Sequence, residues 1–176
     1  MVPMPIPDFV RDLRSHIGTR PLWMSGINAV ILDDDGRVLL TRRADSGRWA
    51  LLGGIVEPGE EPADTVVREA WEEAGVHVVP ERLVSVSVDP PIVHANGDHA
   101  QYLALTFRCR LTGGEARVND DESLEVGWFP PEHLPAGLRP FELERLEQAL
   151  TDEERTWFAL SAGDVTGGAD GGSAEG

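Results

Sequence analysis

Residues 54–76 read Gly-Ile-Val-Glu-Pro-Gly-Glu-Glu-Pro-Ala-Asp-Thr-Val-Val-Arg-Glu-Ala-Trp-Glu-Glu-Ala-Gly-Val, and no other stretch restricts the fold as tightly. Pro62 suits the first turn of a helix, where its missing N–H leaves no bond unmade. Gly75 suits the left-handed residue that ends one. The spacing predicts a helix held between them. At about 3.6 residues per turn, Ala63, Val66, Val67, Ala70 and Ala74 share a stripe expected to face the core. Glu69, Glu72 and Glu73 follow i, i+3, i+4, so their carboxylates converge on a neighbouring face. Like charges so placed repel by a few tenths of a kcal/mol per pair, and a solvated acidic face is the plain alternative. The loop in front shifts the balance. Gly53-Gly54 and Pro58-Gly59 constrain the backbone enough to bring a carbonyl oxygen to the cluster, and Glu60 is spaced to pair with Arg68. Hard divalent cations take such oxygen ligands, magnesium with a few carboxylates, waters and phosphate oxygens.

Strand and helix signals alternate around this segment. Asp8–Ile17 is expected as a short helix with Phe9, Leu13 and Ile17 on one stripe. Residues 27–32 read as a central buried strand, Asp33-Asp-Asp-Gly36 as a turn and residues 38–41 as the return strand. Residues 83–88 are another strand. Asn96-Gly97 signals a hairpin into a strand over residues 102–111, and residues 126–129 add a short one. Phe141, Leu143, Leu146 and Leu150 repeat at helical spacing after Pro140. Thr151-Asp-Glu-Glu154 has the capping-box pattern of a last short helix carrying Trp157 and Phe158. Residues 161–176 are Gly-rich with almost no large apolar side chains, the composition of a disordered tail.

The chain of 176 residues, 41% hydrophobic, suits one domain with a real core. Its net charge of -16 repels nucleic-acid phosphates and anionic lipid, so neither a nucleic-acid polymer nor a membrane is an expected partner. Small phosphate substrates stay open, because bound cations reverse the local sign. The single cysteine, Cys109, excludes an intrachain disulfide framework. Leu103, Leu105, Phe107, Cys109 and Leu111 alternate onto one face, which makes Cys109 a small core residue rather than a nucleophile. No run approaches the roughly 18 apolar residues of a membrane span, and no secretory h-region opens the chain. A cytoplasmic setting is the default.

The segment resembles the Nudix box, Gly-x5-Glu-x7-Arg-Glu-U-x-Glu-Glu-x-Gly-U with U a bulky aliphatic residue. It matches at Gly54, Glu60, Arg68, Glu69, Glu72, Glu73 and Gly75, with Val76 at the final U and a smaller Ala70 at the first. Val-Leu-Leu-Thr-Arg-Arg before it (38–43) and Glu-Val-Gly-Trp-Phe-Pro-Pro after it (125–131) resemble Nudix segments in the family's order. The resemblance implies an α/β fold, a single-domain α/β/α sandwich around a mixed sheet, spanning residues 21–160 after an N-terminal segment, 1–20. It implies an Mg2+-dependent hydrolase, with Mn2+ as the alternative metal. The bond cleaved is the phosphoanhydride of a nucleoside diphosphate linked to another group, as in ADP-ribose, nucleotide sugars or (oxidised) nucleoside triphosphates.

By the same resemblance Glu69, Glu72, Glu73 and the Gly53 carbonyl hold the metal, and Glu69 or Glu73 acts as base. Arg68 and Glu60 form the orienting pair. Glu122 is the candidate for an acid outside the box, with Asp120, Asp121 and Glu125 as rivals. Arg42, Arg43 and Arg48 are candidates for substrate contact, and Trp49 either stacks on a base or belongs to the core. His94 and His99 flank the hairpin turn and are candidates to reach the substrate, with the solvated histidine common at such turns as the plain alternative. Pro91, fifteen residues beyond Val76, stands where ADP-ribose pyrophosphatases of this family carry a proline. The partner is a small nucleotide, and a homodimer is in keeping with the family. The competing class is a non-catalytic, nucleotide-sensing Nudix domain.

Overall fold

The computed structural model describes residues 6–94 and 96–160; the expected disorder of residues 161–176 lies outside the described residues. The elements run α1 (Asp8–Ile17), β1 (Leu22–Leu32), β2 (Val38–Arg43), β3 (Trp49–Ala50), β4 (Leu52–Ile55), α2 (Pro62–Ala74), β5 (Val76–Val88), β6 (Ile92–Val93), β7 (His99–Gly114), β8 (Ser123–Phe129), α3 (Pro140–Leu150) and β9 (Trp157–Phe158), with a 3-10 turn at Pro131–His133. The strands form one mixed sheet in the order β3-β2-β1-β7-β5-β9, with β4 on β1, β6 on β7 and β8 on β2. β1 runs parallel to β7 and β5 parallel to β9, while the other pairs are antiparallel. β2 meets β1 only at Val38 opposite Leu32, because β4 occupies the β1 edge from Gly26 to Ala29.

Helices cover both faces. Val66, Ala70 and Ala74 of α2 pack on Ile27, Ala29, Ile31, Leu39, Leu52 and Cys109. Leu146 and Ala149 of α3 pack on Val30, Val38, Leu40 and Val84. The arrangement is the expected α/β/α sandwich in one domain. β7 is buried on both sides: Leu105, Phe107, Cys109 and Leu111 face α2, while Ala100 and Tyr102 join a cluster around Val10 and Met24 under α1.

Several strands are longer than their sequence signal. β5 begins at Val76, but three register shifts, the second after Pro80 and the last between Leu83 and Ser85, break its alternation. β1 extends back to Leu22 through Ser25 and Gly26, whose small side chains give no apolar pattern. Two helix readings need correction. Val10 is the buried residue of α1, and Leu13 is exposed. α2 is rotated from its expected setting, with Ala63 and Val67 outside and Thr65 and Glu73 inside. A third correction concerns the end of the chain. Residues 151–156 form no helix, and Trp157–Phe158 is a short strand beside Ser85 and Val86, tied in by the Thr156 hydroxyl donating to the Leu83 carbonyl (3.0 Å). Sheet-edge hydrogen bonds beyond the reach of local pattern outweigh the capping sequence there.

Candidate active site

α2 is framed as its sequence demands. Pro62 occupies the first turn, and Gly75 ends the helix in the left-handed region (φ 67°, ψ 25°), its N–H returning to Ala70 and Trp71. The rotation noted above turns the glutamate face toward β4 and β2. Glu73 is 6% exposed. One carboxylate oxygen accepts from the Gly53 N–H and the other from the Thr41 hydroxyl, both at 3.3 Å. Those are long bonds for an anion, and among the described residues Glu73 makes no ion pair. Burial raises its pKa well above the carboxylate range, and the charges of Glu69 and Glu122 raise it further.

Glu69 lies against β4. A side chain at Gly54 would overlap its carboxylate, so the glycine is the space the glutamate fills. Burial lifts Glu69 to about 7, opposed by Arg68 and reinforced by Glu72 and Glu122. Glu72 is exposed. Arg68 grips Glu60 with two parallel bonds, Nε to Oε1 at 2.9 Å and Nη2 to Oε2 at 3.0 Å. That fork holds Glu60 down to about 2 and fastens the loop to the helix. Nη1 reaches Glu69 (2.8 Å) and Glu72 (3.0 Å), and Nη2 reaches the Ile55 carbonyl (3.3 Å).

Glu122, immediately before β8, joins this cluster electrostatically. Burial raises it to about 7, with Asp120, Asp121 and Glu72 adding and Arg43 opposing, and its charge is felt at both Glu69 and Glu73. The rivals sort themselves by partner. Glu125 is tied to Arg42 at 2.6 Å. Asp120 accepts the Glu122 N–H (3.0 Å) and is itself raised by burial.

The three arginines also separate. Arg43 is fork-bonded to Asp45 (3.0 and 2.7 Å) and its charge acts on Glu73. Arg42 is held by Glu125 and the Gly47 carbonyl. Arg48 is exposed on the approach to β3. Trp49 packs edge-on to Phe129 (centroids 4.9 Å apart), which is the core reading rather than the stacking one. Cys109 is fully buried and its thiol is pushed up to about 12, so it is no nucleophile.

Sequence reading missed Thr41, Asp45 and the contact between Gly54 and Glu69. Thr41 lay in an apolar strand run with nothing to mark its hydroxyl, and the close approach at Gly54 exists only once α2 is docked. The donor set suits a hard divalent cation, since buried carboxylates that raise one another's pKa lose that repulsion on binding one. Among the described residues no three acids stand ready to ligate one ion while Arg68 holds Glu69 and Glu72.

A family model described as NUDIX domain matches residues 23–150. A MutT-like protein of Streptomyces ambofaciens is 36% identical over 74% of this chain and 79% of its own length. The 8-oxo-dGDP phosphatase NUDT18 of Homo sapiens is 36% identical over 67% of this chain, but that covers only 36% of the human protein. Among solved structures, an ADP-ribose pyrophosphatase from Streptococcus suis superposes with a TM-score of 0.60 at 26% identity, over 76% of this chain and 96% of its own. The MutT NUDIX hydrolase from Burkholderia pseudomallei gives 0.55 at 33% identity, over 74% and 99%.

Proposed function

We propose, from the premise that this chain belongs to the Nudix family of hydrolases acting on nucleoside diphosphate derivatives, that it cleaves a phosphoanhydride bond with Mg2+, Mn2+ being the substitute, and that residues 21–160 are its catalytic domain. The observation that carries the metal reading is Glu73, a buried carboxylate with two long hydrogen bonds and carboxylate neighbours. Such a group is costly without a cation.

Glu69, Glu72, Glu73 and the Gly53 carbonyl are the groups that would hold the metal. When bound it supplies neutralisation of the phosphate oxygens and a water of lowered pKa. Arg68 positions: its fork to Glu60 fixes the loop, and Nη1 steadies Glu69 and Glu72. Arg43 faces the carboxylates as the arginine suited to substrate phosphate. Glu69, Glu73 or Glu122 would take the proton of the attacking water, burial making each a stronger base than an ordinary carboxylate.

NUDT18 is an 8-oxo-dGDP phosphatase and the Streptococcus suis protein an ADP-ribose pyrophosphatase, and we take the substrate from ADP-ribose and nucleotide sugars or from (oxidised) nucleoside phosphates. A small-molecule site rather than a nucleic-acid one fits the charge of -16. Cytoplasmic location and a homodimer remain part of this proposal; no helix among the described residues is long and apolar enough to cross a membrane.

The test is turnover of 8-oxo-dGTP, 8-oxo-dGDP, ADP-ribose, nucleotide sugars and unmodified dNTPs, with Mg2+, with Mn2+ and with chelator. We expect turnover with either metal and none with chelator, the products naming the bond. Metal-independent turnover would refute the metal reading, and nucleotide binding without turnover would leave a sensing domain.

A further inference from the structure

The β6–β7 hairpin contributes a pair of side chains that the carboxylate site does not use. At its tip the His94 N–H donates to the Asp98 carbonyl (2.9 Å), and Asn96 and Arg14 hold the Asp98 carboxylate. The imidazole Nε2 of His94 lies 3.4 Å from the Tyr102 hydroxyl. Tyr102 is anchored from behind in the cluster of Val10, Met24 and Ala100. Its ring rests against Gly26, in van der Waals contact at 3.4 Å with the place a Cβ would take there, and the Gly54 carbonyl lies equally near that place. Tyr102 is therefore built against the same strand pair, β1 and β4, whose other side supports Glu69.

Arg43 links the two groups. Its charge acts on Glu73 and on His94 and Tyr102, and Glu122 in turn acts on it. Burial lowers the pKa of His94 and raises that of Tyr102. Beyond the phosphate-facing arginine the wall is thus an uncharged imidazole and an uncharged phenol. Such a wall offers hydrogen-bond donors and acceptors and a flat aromatic surface. Acids stand beside it, Asp45 against Arg43 and Asp98 at the hairpin tip, so a second anionic group is disfavoured there.

We propose that His94 and Tyr102 receive the uncharged nucleobase of the substrate and set which base is accepted. This rests on the nucleotide-hydrolase reading above and adds the half of the substrate that reading leaves unplaced.

Binding separates the two ideas because it needs no chemistry. Non-hydrolysable α,β-methylene analogues of dGTP and dATP would be titrated by calorimetry, beside methylenediphosphonate as a probe without a base. Tyr102→Phe keeps the ring on Gly26 and removes only the hydroxyl, and His94→Gln removes the imidazole from its half-buried place on the hairpin. Each variant should bind the nucleotide analogues about fivefold to tenfold more weakly, the worth of one or two hydrogen bonds. Each should also change the dGTP-to-dATP preference and leave methylenediphosphonate and the melting temperature unmoved. Equal affinities for wild type and variants would overturn the subsite. So would an equal loss for the base-less probe, or a wild type that holds the nucleotides no better than that probe. Base-dependent binding in a protein without turnover would keep the subsite and sink the hydrolase reading. Turnover with variants indistinguishable from wild type would do the reverse.

Discussion

Glu73 under α2 and Arg145 under α3 are both almost fully buried, at 6% and 4% exposure, on opposite faces of one sheet. Arg145 has its counter-ion, although its Nη1 finds no hydrogen-bond partner among the described residues. It donates to the Ser87 hydroxyl at 3.0 Å, is ion-paired to Asp89, and lies over the Phe141 ring 4.9 Å from its centroid. Glu73 has two long hydrogen bonds, no ion pair among the described residues, and the charges of Glu69 and Glu122 against it. A buried charge with its counter-ion fastens α3 to β5. A buried charge held among like charges is stabilised only by protonation or by a cation from outside, and that marks a site rather than a strut.

The largest test of this contrast is Glu73→Gln, whose carbonyl can still accept from the Gly53 N–H while its NH2 donates to the Thr41 hydroxyl, reversing that bond, and which removes the charge. Turnover should fall at least about 10³-fold, equivalent to about 4 kcal/mol of transition-state stabilisation. In metal-free buffer the same change should raise the melting temperature by roughly 2–4 °C, the equivalent of about 1 kcal/mol in a chain this size. The pH dependence follows from the directions of shift. Glu69 and Glu122 are lifted from 4.5 to about 7, and Glu73 is raised too. The folded state then keeps protons that the unfolded state has released, so metal-free stability should fall as pH rises from about 4.5 to about 7. Melting curves across that range with chelator, for wild type and variant, check it: the variant should slope less, and an equal slope would remove Glu73 from the argument.

Arg145→Met should act in the opposite sense. It leaves Asp89 without its partner in a half-buried place, at a cost of about 3 kcal/mol and roughly 6–12 °C in melting temperature. Turnover per folded molecule at saturating substrate should stay at the wild-type level, because Arg145 shares no partner with the carboxylates around Glu73. Its link to the site runs through Asp89, whose N–H donates to the Tyr102 carbonyl (3.0 Å), and falls on nucleotide affinity. Chemical denaturation and active-site-normalised rates measure both. A variant that loses rate but not stability would erase the distinction between the two faces.

The two faces also differ in how much of them the sequence displays. The carboxylates of α2 were legible because their spacing, Pro62 and Gly75 all belong to one local segment, and Arg68–Glu60 spans only eight residues. The alternation that places Cys109 in the core was legible for the same reason. The rotation of α2 was not, because Val67 and Glu73 exchange places only when the helix docks beside Gly53 and Thr41. The Arg145–Asp89 pair joins positions 56 apart, and β9 joins residues over 70 apart, so neither leaves a periodic trace. Among the acids outside the box, electrostatic coupling across the cluster is what favours Glu122 over Glu125, and no local spacing displays it.

Gly54→Ala makes the finest cut between the two faces, because it changes no charge at all. Gly54 carries no positive φ, so alanine fits its backbone. The added methyl nevertheless falls where the Glu69 carboxylate sits. Glu69 must swing away, and Arg68, bonded to both Glu69 and Glu60, must follow or let go. A displacement on the order of 1 Å at a catalytic group costs up to roughly a hundredfold in rate. The variant should accordingly lose about tenfold to a hundredfold in turnover, with stability changed by less than about 1 kcal/mol. A loss of stability without loss of rate would mean that the glycine serves packing, as the contacts under α3 do. A loss of rate alone would show that the face under α2 is built around the placement of its carboxylates, since the methyl adds apolar surface and removes no hydrogen bond.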